Sequence, residues 1–164
     1  MKHPLIRSPL THLLRLYLVS LLLYLPFTGA YGLFDPWETH YSEVSRSMLQ
    51  REDYISTFWQ DNGFYSKPVL TFWMQAAGMR VAGLNRRGAA PSEMADSPRA
   101  EWATHVPILL FAAFAVLAVF WLCRRLWGDA PAILAAGMVA VTPHFALVAR
   151  QTITDMPLVA SNHP

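Results

Sequence analysis

Val106-Pro107-Ile108-Leu109-Leu110-Phe111-Ala112-Ala113-Phe114-Ala115-Val116-Leu117-Ala118-Val119-Phe120-Trp121-Leu122-Cys123 runs without one charged residue and ends on Arg124-Arg125. A helix needs about 20 apolar residues to cross a hydrocarbon core of ~30 Å, and this stretch comes close to that length. Two more uncharged runs flank it in sequence, Leu16–Leu33 and Ala130–Ala149. The chain is 54% hydrophobic and only 15% charged, against about 25% charged in an average soluble domain. Core helices of a soluble bundle carry a polar stripe, and these runs lack one. The sequence therefore predicts an all-α integral membrane protein with about three transmembrane helices plus extracytoplasmic juxtamembrane helices.

Charge placement orients the spans. Lys2, Arg7 and Arg15 precede the first run and Arg124-Arg125 closes the second, so the positive-inside rule puts both of those ends in the cytoplasm. The expected order is a cytoplasmic lead over 1–15 and a first transmembrane helix over 16–33. An extracytoplasmic loop over 34–102 follows, then transmembrane helices over 103–126 and 130–150 joined by Gly128-Asp129. Residues 151–164 read as the start of a further segment, cut short. The first run is too long for a signal-peptide core and no small-x-small cleavage site precedes the acidic loop, so it reads as a retained anchor.

Two juxtamembrane helices are expected in the loop. Over 36–50, Trp37, Tyr41, Val44, Met48 and Leu49 share one helical face, with Glu38, Ser42, Glu43, Arg46 and Gln50 on others, the pattern of a helix lying in the interface. Over 68–84, Pro68 opens a helix that carries Gln75 and Arg80. It reads as interfacial or re-entrant, because a span there would move Arg124-Arg125 outside and Asp155 to the cytoplasm. Asn62-Gly63 is a turn signal.

Several chemistries are excluded. A lone Cys123 allows no internal disulfide or cysteine cluster, and the six histidines show no pair at metal-ligand spacing. There is no Gly-rich phosphate loop, nucleophile elbow or basic array for nucleic acid; no cofactor and no metal-ligand residues are expected, and metal dependence is not assigned. His40 and His144 read as solvated or packed residues, and Trp37, Trp59, Trp73 and Trp102 as an interfacial aromatic belt.

What remains is a set of polar groups at the expected outer rim. Asp35-Pro36-Trp37-Glu38 admits two compatible readings: an N-cap, helix-starting proline and capping-box acid, or a pair of catalytic carboxylates. Lys67, at a helix start where a cation opposes the helix dipole, suits an anionic partner. Asp155 follows Arg150 at the outer end of the third run and reads either as a cap or as part of the same cavity as Asp35.

Three blocks in order resemble one family. They are Asp35-Pro36-Trp37-Glu38-Thr39-His40-Tyr41-Ser42-Glu43-Val44-Ser45-Arg46-Ser47-Met48-Leu49, Tyr65-Ser66-Lys67-Pro68-Val69-Leu70-Thr71-Phe72-Trp73, and Arg150-Gln151-Thr152-Ile153-Thr154-Asp155-Met156-Pro157-Leu158. They are similar to blocks of the protein-mannosyltransferase-like bacterial membrane glycosyltransferases of the GT-C class, related to the lipid A aminoarabinose transferases, and cover the N-terminal portion only. In that pattern Trp37 stands where the first of two adjacent acids is usual, His40 where arginine is common, and Val69 where a second proline is common.

The resemblance implies transfer of a sugar from a polyprenyl-phosphate-linked donor to a lipid or protein acceptor at the extracytoplasmic face of the inner membrane. It implies Asp35, Glu38 and Asp155 as catalytic acids, with the base either Asp35 or Glu38, and Lys67 and Arg150 as holders of the donor phosphate. The competing expectation is a non-catalytic scaffold or transport subunit, or an inactive truncated product.

Overall fold

In a computed structural model of the chain, the structure describes residues 9–30, 32–33, 37–84 and 98–152. These are mostly helical. The first helix, α1, covers Pro9–Tyr24. Its end comes well inside the apolar run 16–33, for a local reason. Pro26 lacks the N–H that would continue the ladder, and the chain turns through Thr28 N–H to Leu25 O (3.2 Å) and Ala30 N–H to Phe27 O (3.0 Å). At 1.5 Å per residue α1 is about 24 Å long. The turn docks tightly under a later helix: a Cβ on Gly29 would lie 2.0 Å from Trp102 Nε1.

Helix α2, Trp37–Arg51, buries Tyr41, Val44, Met48 and Leu49. The face expected from periodicity departs from the observed one at four residues. Trp37 is 64% exposed, whereas Glu38, Ser42 and Arg46 are buried. Neighbours cover α2 on more than one side, so polar positions go inward as well; Arg46 Nε donates to Glu43 at 2.6 Å, while the Ser42 hydroxyl is buried without a hydrogen-bond partner among the described residues.

A short hairpin follows, with β1 (Phe58–Trp59) antiparallel to β2 (Asn62–Gly63). Its turn is Gln60-Asp61, both at positive φ (47° and 66°), so the Asn62-Gly63 turn signal falls in a strand instead. Tertiary contacts select this register. Trp59 stacks on the His40 ring at 4.3 Å, Arg51 lies over Phe58 at 4.4 Å, and Arg51 pairs with Asp61. Asp tolerates the left-handed region better than most residues.

Helix α3, Val69–Val81, starts after Pro68 and buries Thr71, Phe72, Met74, Gln75, Ala76 and Met79. Its Gln75 Oε1 accepts from Ser45 Oγ at 2.7 Å, fastening α3 to α2. The long helix α4, Pro98–Trp127, packs against α1, α3 and the next helix. Its Arg124 pairs with Asp129 at 2.5 Å across the turn into α5, Asp129–Val141. There Ala132, Ala136 and Ala140, one turn apart, meet Val116 and Phe120 of α4; small side chains let the two backbones approach closely.

The run 130–149 is not one continuous helix. Thr142 is extended (φ −60°, ψ 122°) and Pro143 opens α6, Pro143–Val148. A residue before proline is pushed out of the helical region and proline cannot donate to the ladder. Beside this break Tyr24 Oη donates to Ala140 O at 3.0 Å, tying the end of α1 to the α5–α6 corner. Tyr24, Met74, Ile108, Leu109, Ala112 and Ala149 form the core under that corner.

Among the described residues one helix, Arg99–Trp127, is long and apolar enough to cross a membrane, and Thr11–Tyr24 and Asp129–Val141 are shorter apolar helices. His105 and Arg124 on α4 are separated by about 28 Å of helix rise, close to one hydrocarbon thickness.

Candidate functional site

Polar groups from two helices, the turn after α1 and the segment after α6 meet around a cavity of about 300 Å³ lined by residues that include Thr28, Glu38, His105, Arg150 and Gln151. Glu38 comes from the first turn of α2 and is 3% exposed. A buried carboxylate must be hydrogen-bonded, and Glu38 is. Its Oε1 accepts the Thr152 N–H at 2.6 Å and the Thr152 hydroxyl at 3.3 Å, and lies 3.1 Å from His105 Nε2. A carboxylate oxygen can only accept, so Nε2 carries the hydrogen of this contact. Nδ1 is buried without a hydrogen-bond partner among the described residues.

Arg150 follows α6. Its Nε donates to Tyr24 O at 3.2 Å and Nη2 to Leu23 O at 2.8 Å. These are carbonyls of the last turn of α1, which have no partner within that helix, and a cation there also complements its dipole. The segment Arg150–Thr152 is therefore fastened twice, to α1 by its arginine and to α2 by its backbone.

The sequence-derived site residues divide three ways. Glu38 and Arg150 line one cavity. Lys67 is exposed in the bend before α3 and is not among the residues lining that cavity. Asp35 and Asp155, and with Asp35 the expected capping box, lie outside the described residues. Sequence reading missed His105 and Thr152. A signal for His105 was present: an ionisable residue inside a long apolar helix calls for a partner. Thr152 contributes chiefly its backbone, which no residue pattern announces.

His40 stacks on Trp59 and packs against Phe64 at 4.6 Å, and burial lowers its imidazole pKa below the ordinary value. His144 is exposed. Among the described residues no group of three His, Cys, Asp or Glu gathers in the manner of a metal site.

Comparison with known proteins bears on this arrangement. A family model of dolichyl-phosphate-mannose-protein mannosyltransferases matches residues 96–162, which include His105, Arg150, Thr152 and Asp155. The chain is 30% identical over 131 residues to the undecaprenyl phosphate-alpha-4-amino-4-deoxy-L-arabinose arabinosyl transferase of Pseudomonas paraeruginosa, covering 80% of this chain and 21% of that protein. The enzyme of the same name in Pectobacterium carotovorum is 30% identical over 77% of this chain and 20% of its own length. A match of 131 residues within this chain must take in 34–131, so Asp35, Glu38, Lys67 and His105 all fall inside the first alignment. No solved structure matches the chain. The chain is a relative of the protein-mannosyltransferase-like membrane glycosyltransferases, alongside the aminoarabinose transferases. It spans about a fifth of the length of the curated relatives it matches.

Proposed function

We propose that the protein takes part in transferring a sugar from a polyprenyl-phosphate-linked donor to a lipid or protein acceptor at the extracytoplasmic face of the inner membrane. The observation that carries this reading is the convergence of Glu38, His105 and the Arg150–Thr152 segment on one cavity, in a chain whose relatives are named for an undecaprenyl-phosphate sugar. In this reading α1, α4 and the α5–α6 pair cross the bilayer, with α2 and α3 at its outer surface. The cavity gathers near the N-terminal part of α4 and Arg124-Arg125 lies at its other end, which suits the positive-inside orientation. A lipid-borne donor arrives through the bilayer, so its phosphate reaches the depth of such a rim.

An acidic group, Asp35 or Glu38, takes the proton of the acceptor as general base, and the acceptor oxygen attacks the anomeric carbon. The bond from that carbon to the phosphate oxygen breaks, and polyprenyl phosphate leaves with the electron pair. Lys67 and Arg150 stabilise the departing phosphate by charge, and Asp155 is assigned to the same catalytic set. This 164-residue chain by itself is expected to be inactive. The test uses membranes from cells expressing the full reading frame that contains it, given a labelled polyprenyl-phosphate sugar. Transfer should fall at least about a hundredfold in whichever of Asp35→Asn and Glu38→Gln removes the base, and in Lys67→Ala; undiminished transfer in all three would overturn the assignment.

A further inference from the structure

We propose that the groove between α3 and α4 binds one bilayer phospholipid, with an acyl chain in the groove and the anionic phosphate at Arg80. The inference rests on the membrane placement in the reading above and not on its chemistry. The groove has a volume of about 550 Å³, and every described residue lining it is apolar, from Met74 and Val81 on α3 to Val106, Phe111 and Phe114 on α4. Val81 and Phe114 are exposed large hydrophobics. Gly78 and Ala103 line the groove where the helices cross, so closely that a Cβ on Gly78 would lie 2.0 Å from the Ala103 carbonyl oxygen. A concave apolar surface of this kind is unfavourable against water, and a lipid tail, as apolar as leucine, covers it without cost.

Charge at the groove's edge selects the occupant. Trp73, Ala77 and Arg80 recur on one face of α3 at i, i+4 and i+7, and with Leu49 and Tyr54 they line a second recess of about 280 Å³. Ala77 lines both recesses, so the two adjoin. Trp73 and Tyr54 are exposed aromatics, joined by Trp73 Nε1–H to Tyr54 O at 2.6 Å, and such rings sit at headgroup level in a bilayer. The Arg80 guanidinium is exposed and has no ion pair or side-chain hydrogen bond among the described residues. One unpaired cation beside an apolar groove complements a lipid with one anionic phosphate. The groove is also distinct from the Glu38–His105 cavity. At about 100° per residue, Val106, Leu110 and Phe114 lie roughly 100–180° around α4 from His105. A donor whose phosphate occupies that cavity is on the other side of α4, which leaves the groove to a lipid of the bilayer.

Photolabelling of the full-length protein in detergent tests this, with phosphatidylglycerol carrying a diazirine on one acyl chain as the probe. Label should concentrate on the groove residues of α3 and α4, Val81, Val106 and Phe114 among them. Arg80→Gln, a change at an exposed position that leaves the fold intact, should raise the half-saturating probe concentration roughly fivefold, and Arg80→Lys should stay within about twofold of wild type. Ala77→Trp, which fills the junction of the two recesses, should abolish groove labelling. Label spread evenly over the lipid-facing sides of α1, α4 and α5 overturns the proposal, as does labelling indifferent to Arg80→Gln. Displacement of the probe by an equal concentration of polyprenyl phosphate also overturns it, by giving the groove to the donor. Groove labelling without any sugar transfer leaves the lipid site standing and removes the sugar-transfer reading; normal transfer with an unlabelled groove does the reverse.

Discussion

Thr152 donates its backbone hydrogen to Glu38 Oε1 across 2.6 Å, although 114 residues separate the two in the chain. Both residues are buried, at 0% and 3% exposure, so each group relies on the other for its hydrogen bond. Removing the carboxylate strands the Thr152 N–H and the His105 Nε2–H together. Glu38→Ala should therefore cost about 1–3 kcal/mol for each stranded donor. A thermal melt of the purified protein in detergent measures it, with Thr152→Val, which keeps the N–H, expected to lose no more than about 1 kcal/mol.

Arg150 offers a second prediction, because its guanidinium spans two carbonyls at the end of α1. A lysine carries the charge but not the planar fork. Arg150→Ala should destabilise the fold by about 1.5–3 kcal/mol, and Arg150→Lys should recover only part of that. Equal melting temperatures for wild type and Arg150→Ala would assign the residue to ligand binding alone.

The α3–α4 crossing predicts a contrast between two glycines. A Cβ on Gly78 would lie 2.0 Å from the Ala103 carbonyl oxygen and 2.9 Å from Pro107 Cγ, whereas one on Gly137 meets nothing within 4 Å. Backbone cannot swing aside as a side-chain end can. Gly78→Ala is expected to destabilise by about 1–3 kcal/mol, while Gly137→Ala, in mid-helix, should stabilise by roughly 0.5–1 kcal/mol. Paired melts of the two variants decide it.

His40 predicts a pH effect on the hairpin. Desolvation lowers its pKa in the folded state below the ordinary imidazole value of 6.5, so the open state binds the proton more readily. The contribution of His40 packing is complete above pH 6.5 and is lost as pH falls through the lower folded-state value. Trp59, stacked on His40 at 4.3 Å, reports the change: its environment, followed by fluorescence, should alter on acidification in wild type and stay constant over that range in His40→Phe. An unchanged Trp59 signal in wild type would contradict the packing account.

Helices were the legible part of this fold. The uncharged run before Arg124-Arg125 lies within α4, and the apolar spacing of Tyr41, Val44 and Met48 coincides with the buried face of α2. Two breaks were misjudged, at Pro26 and Pro143, because apolar composition was weighed above the missing N–H of proline. The hairpin turn was misplaced for a different reason: Asn62-Gly63 is the stronger local turn signal, but stacking of Trp59 on His40 and the Arg51–Asp61 pair decide the register.

Glu38 and Arg150 were legible in the site because acids and cations at the end of apolar runs call for partners. Their actual partners were not, since a backbone N–H at Thr152 and backbone carbonyls at Leu23 and Tyr24 leave no mark on residue type.

The central claim, a donor-binding cavity open to the extracytoplasmic side, is tested most directly at Gly32. This exposed residue lines the cavity and has room for a side chain. In a full-length protein carrying Cys123→Ser and Gly32→Cys, a membrane-impermeant maleimide applied to intact spheroplasts should label the new thiol, and a polyprenyl-phosphate sugar should slow the labelling. Labelling that requires permeabilised membranes, or proceeds at the same rate with the sugar donor present, would contradict the account.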